Sequence, residues 1–93
     1  MKTIILPGFS LHNKDWAEEI KSKIKLAHPI EVIYWEHWKN GGGMKFKTEM
    51  EKFMKLIGDG EANIIAKSVG TGVVMKILPL LGSRINKIIL CGI

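Results

Sequence analysis

Four short apolar runs, each separated from the next by a helical pattern, leave this 93-residue chain few folds to choose from. Residues 2–6, 30–35, 63–67 and 86–91 are rich in Ile, Val and Leu, are bounded by Pro, Gly or polar residues, and read as strands. Between them, a spacing of three to four apolar positions predicts helices over 14–27, 48–57 and 69 to about 81. Asn13 is the expected N-cap of the first helix, whose stripe is Trp16, Ile20, Ile24 and Ala27. Thr48-Glu49-Met50-Glu51 reads as a capping box opening the second, which carries Phe46, Met50, Phe53, Met54 and Ile57 and stops at Gly58. The third is apolar on most sides (Val69, Val73, Val74, Ile77, Leu78, Leu81), with Pro79 distorting its last turn and Gly82 closing it. Strands alternating with helices imply right-handed crossovers. The expected fold is therefore α/β, one parallel four-stranded sheet with helices on both faces in a single domain over 1–93.

The junction between the third strand and the last helix constrains the chemistry. Asn63-Ile64-Ile65-Ala66-Lys67-Ser68-Val69-Gly70-Thr71-Gly72 carries an apolar strand straight into a serine flanked by small residues at Ala66 and Gly70. That is the layout of a nucleophile elbow, a tight strand-to-helix turn that lifts a serine Oγ above the end of a parallel sheet. Small flanking residues are needed because bulkier ones collide with the neighbouring strand and helix. The competing reading makes Ser68 a plain N-cap of the helix that follows.

With Thr3-Ile4-Ile5-Leu6-Pro7-Gly8-Phe9-Ser10 before it and Ile85-Asn86-Lys87-Ile88-Ile89-Leu90-Cys91-Gly92 after it, the whole chain resembles the first half of an α/β-hydrolase. The loop after the first strand reads Pro7-Gly8 where that family often has His-Gly. The resemblance implies the sheet order second, first, third, fourth strand, which places 86–91 at an edge. It implies Ser68 as nucleophile of a small serine esterase, and an oxyanion hole from the backbone N–H groups of Phe9 and Val69. The family's acid and histidine follow later strands, so two forms are expected. One is a truncated core; the other is a minimal hydrolase that recruits its base from this chain or from a second copy.

A serine nucleophile needs a base to take its proton and an acid to orient that base. His12, in the loop after the first strand, and His37, after the second, both fall on the rim that carries Ser68; Asp15 and Glu36 lie near them in sequence. His12 is preferred because its loop abuts the elbow. His28 belongs to the opposite end of the sheet. Lys67 points away from Ser68 by the two-residue period of a strand, and Cys91 reads as a buried strand residue. Ser10, Trp35 and Trp38 are candidates for substrate binding, with Gly41-Gly42-Gly43 as a flap or linker.

Composition excludes more than it selects. The net charge of +5 comes from lysines scattered over helix faces, with Arg84 the one arginine, which argues against nucleic-acid readout. No apolar run reaches the roughly 18–20 residues of a membrane span. No Cys, His and Asp cluster has metal-ligand spacing, and no glycine run has that of a phosphate loop. No cofactor is expected. One cysteine and the lack of an apolar leader fit the cytoplasm. A small-molecule ester is the expected substrate, and the apolar edge strand 86–91 favours a homodimer. The alternative is a non-catalytic module that keeps the hydrolase shell without the acid and histidine of the triad.

Overall fold

The computed structural model describes residues 2–24, 29–41, 43 and 45–91. Four strands, β1 (Lys2–Leu6), β2 (Ile30–Val32), β3 (Ala62–Lys67) and β4 (Ile85–Cys91), form one all-parallel sheet in the order β2-β1-β3-β4. The helices are α1 (His12–Lys23), the four-residue α2 (His37–Asn40), α3 (Phe46–Ile57) and α4 (Val69–Leu81), the last running into a 3-10 turn at Gly82–Arg84.

Alternation along the central strands divides the core in two. Ile5, Val32 and Ile65 face α1, where Ala17 is buried and Trp16, Ile20 and Ile24 pack against them. Ile4, Leu6, Ile64 and Ala66 face the other way, onto Phe53 and Ile57 of α3 and Val73, Val74 and Ile77 of α4. β1 is buried along most of its length, as a central parallel strand covered on both faces should be. Among the described residues, no helix is long and apolar enough to cross a membrane.

Four local expectations need correction. α1 begins at His12 rather than 14, since the Ser10 hydroxyl accepts the His12 N–H (3.3 Å) and the Ser10 carbonyl accepts that of Asn13 (2.9 Å). Asn13 thus lies inside the helix and is not its cap. α1 also stops earlier, at Lys23, where Ile24 turns extended; Ala27 and His28 lie outside the described residues. The regular ladder of β2 ends at Val32, after which polar side chains replace the ladder as partners of residues 34–36. Lys52 reaches the Tyr34 carbonyl, and the Glu49 carboxylate accepts the Glu36 N–H at 2.9 Å.

Thr48-Glu49-Met50-Glu51 is no capping box, because the helix is already under way when it reaches Thr48. α3 starts two residues earlier at Phe46 with no side-chain cap, and Glu49, 1% exposed, is turned into the protein beside Lys52 (3.6 Å). Without Glu49 the part-buried Glu36 N–H would lose this partner, and a buried N–H left unpaired costs about 1–3 kcal/mol. The Lys52 ammonium also pairs with Glu36 at 3.3 Å. Pro79 is accommodated within α4, which runs on to Leu81 and closes on Gly82 at φ +49°.

Candidate active site

Ala66 is the last residue of β3 to pair with Leu6 of β1, so the two chains leave the sheet side by side. Lys67-Ser68-Val69 then turns into α4, and Pro7-Gly8-Phe9 turns toward α1. Ser68 occupies φ +53°, ψ −117°, and among the described residues no other non-glycine has a positive φ. A helix-capping serine takes an extended backbone and accepts an N–H of the first turn. Ser68 does neither: it makes no side-chain cap bond, and its side chain is exposed. The turn is instead held by its own carbonyl, which accepts the Thr71 N–H at 2.9 Å.

The two small neighbours have separate reasons. Ala66 is wholly buried in the core. Gly70 packs the first turn of α4 on the end of β1, where a Cβ would stand 2.3 Å from the Leu6 carbonyl oxygen. A strained, exposed serine between a buried alanine and a glycine that leaves no room for a Cβ is the geometry the elbow motif requires.

The loop opposite is held through its carbonyls. The Trp35 indole N–H lies 3.1 Å from both the Pro7 and Gly8 carbonyl oxygens. The Trp38 indole N–H reaches the Phe9 carbonyl at 2.8 Å, and His37 Nε2 reaches the same oxygen at 2.6 Å. The Asn13 side-chain amide donates to the Ser10 carbonyl at 3.1 Å and lies over Gly8, where a Cβ would be 2.8 Å from it. Among the described residues, no backbone carbonyl accepts from the N–H groups of Phe9, Ser10 or Val69.

His37 is 8% exposed and stacks on the Phe9 ring, centroids 4.1 Å apart and planes 16° from parallel. A carbonyl only accepts, so Nε2 carries the proton. Nδ1 is buried and makes no hydrogen bond among the described residues. His12 is exposed at the start of α1, on an open hollow lined by Ser10, Leu11, Lys14 and Asp15. Neither ring is hydrogen-bonded to Ser68, and Glu36 is engaged by Lys52. Ser68, His12 and His37 therefore share one rim without forming a hydrogen-bonded relay.

The remaining candidates separate clearly. Trp35 is fully buried beneath the loop. Trp35 and Trp38 line a shallow cavity of about 190 Å³ with Leu11, Lys14, Tyr34 and Lys39. Ser10 is exposed at the mouth of the loop. Tyr34 donates its hydroxyl in a hydrogen bond to the Glu18 carboxylate, and that bond pushes the phenol up to about 12. Lys67 stacks its ammonium 5.0 Å over the Trp16 ring, on the α1 face, and is no partner for Ser68. Cys91 is half-buried, opposite Lys67 on β4. No group of three His, Cys, Asp or Glu among the described residues could hold a metal. Comparison with known proteins returns no matching family model, no matching curated protein and no matching solved structure.

Proposed function

We propose that this chain is a serine hydrolase core acting on small acyl esters, in the manner of the α/β-hydrolases it resembles. The observation that carries the reading is Ser68, exposed and strained at φ +53°, with no capping role to account for that backbone. In this reading Ser68 Oγ attacks the ester carbonyl carbon and the former carbonyl oxygen becomes an oxyanion. The N–H groups of Val69 and Phe9 stabilise it, as does the positive end of the 13-residue α4. Collapse of the intermediate expels the alcohol, which takes up a proton, and water then hydrolyses the Ser68 acyl ester. His12 is assigned as proton acceptor, because its ring, unlike that of His37, is tied to no other group among the described residues.

Intact mass after incubation with a fluorophosphonate tests the assignment. The expected result is one adduct per chain, none on Ser68→Ala, and labelling slowed about a hundredfold in His12→Ala. Absence of an adduct on the folded wild-type protein overturns the reading in favour of a non-catalytic shell. That alternative draws on one observation, the lack of a hydrogen bond between Ser68 and either histidine.

The reading extends to a homodimer through β4, which pairs on one side only and exposes Ile88, Ile89 and Leu90 by 36%, 58% and 56%. Antiparallel pairing of two β4 strands about Ile88 sets Lys87 opposite Ile89 of the second copy, so no like charges meet. Light scattering is expected to give twice the 10.4 kDa chain mass, and Ile89→Lys to return the monomer.

A further inference from the structure

We infer that His37 is a positioning residue that aims a backbone N–H at the Ser68 side of the loop, and that the Ser10 N–H is thereby a donor of the oxyanion site. The inference rests on the hydrolase reading for its catalytic meaning, though not for its geometry.

In a trans peptide the C=O and the following N–H point in opposite directions, and no cis peptide occurs among the described residues. Holding a carbonyl therefore aims the next residue's N–H. The Gly8 carbonyl is held by Trp35, which directs the Phe9 N–H; the Phe9 carbonyl is held by His37 and Trp38, which directs the Ser10 N–H. All three donors follow β2, whereas Ser68 follows β3, and β1 lies between them in the sheet. Carbonyls drawn toward the β2 side leave the two N–H groups facing the β3 side, where the elbow stands. Both N–H groups lack a backbone acceptor among the described residues.

His37 contributes what an indole cannot. Its ring stacks on Phe9 while its Nε2–H bonds the carbonyl of that same residue, so it restrains both the side chain and the peptide plane. A peptide flip at Phe9–Ser10 would break two hydrogen bonds to one oxygen, and the flipped state would present a carbonyl to the developing oxyanion. The His37 Nε2–H is committed to the Phe9 carbonyl, and neither ring nitrogen is hydrogen-bonded to Ser68.

Two variants and one spectrum test this. His37→Gln keeps an N–H donor at about the reach of Nε2; His37→Leu removes it. The fluorophosphonate labelling rate of Ser68 is expected to fall about 10- to 100-fold in His37→Leu and to recover to within about threefold of wild type in His37→Gln. Nitrogen-15 spectra of the wild-type ring are expected to show a protonated Nε2 and a bare Nδ1. The Ser10 amide resonance should shift in the Leu variant and return in the Gln variant. Equal loss in both variants, or a ring protonated on Nδ1, overturns the inference. If wild type takes no label, the hydrolase reading fails, and the ring spectrum with the Ser10 amide still decides whether His37 holds the loop.

Discussion

Gly70→Ala is expected to cost about 3 kcal/mol or more, read as a lower urea midpoint at unchanged slope, and to leave a poorly populated native state. The added methyl would stand 2.3 Å from the Leu6 carbonyl oxygen and 2.9 Å from the Leu6 carbonyl carbon and Cβ. These are atoms of a central strand fixed on both sides by hydrogen-bonded neighbours, so they cannot yield as a surface side chain would. Relief requires the start of α4 to lift from β1, and Ser68 moves with it. Gly72→Ala is the control: a Cβ there meets only the Phe46 ring at 3.7 Å, so it should stabilise by up to about 1 kcal/mol through helix propensity. Two glycines one residue apart on either side of Thr71 are thus expected to respond with opposite signs.

Ser68→Gly is expected to raise stability by about 1 kcal/mol while abolishing covalent labelling. At an ordinary N-cap the same change costs a few tenths of a kcal/mol. Here the serine makes no cap bond and sits at φ +53°, ψ −117°, a conformation costing non-glycine residues about 1–3 kcal/mol. Glycine removes that strain and loses part of the gain to its greater freedom in the unfolded chain. The urea midpoint of Ser68→Gly against wild type decides the sign. A fall rather than a rise would mean that Ser68 contributes to stability, as a structural cap does. A rise would mark the serine as retained at the expense of stability, as reactive positions often are.

The sheet was legible because its signal is long-range only in consequence. Each strand is a dense apolar run, each helix between them is stopped by glycine or carries its own stripe, and the crossover rule does the rest. The elbow was legible for the same reason: Ala66, Ser68 and Gly70 are close in sequence and answer to local geometry. The loop's supports were harder to read. Trp35, His37 and Trp38 look like a pocket wall and a candidate base, and only tertiary placement turns their N–H groups on carbonyls nearly thirty residues earlier. One signal was available: three side chains with ring N–H donors, directly after a strand, on the rim shared with Pro7-Gly8. The Thr48-x-x-Glu51 spacing misled for another reason, since it reports a cap only where a helix starts at that threonine, and α3 starts at Phe46.

The β1–β3 pairing has a kinetic consequence. Ile4 pairs with Ile64, sixty positions later, and the loops that carry Phe9 and Ser68 converge only when that ladder closes. Closing so long a loop loses entropy before any contact offsets it, and parallel pairings of this kind form late and slowly. No early folding fragment can hold the elbow opposite the Pro7–Ser10 loop, because one lies in each half of the chain. The juxtaposition of the two loops therefore arises in the same cooperative step that completes the sheet. The amides of the β1–β3 ladder should exchange with solvent only on opening that approaches global unfolding.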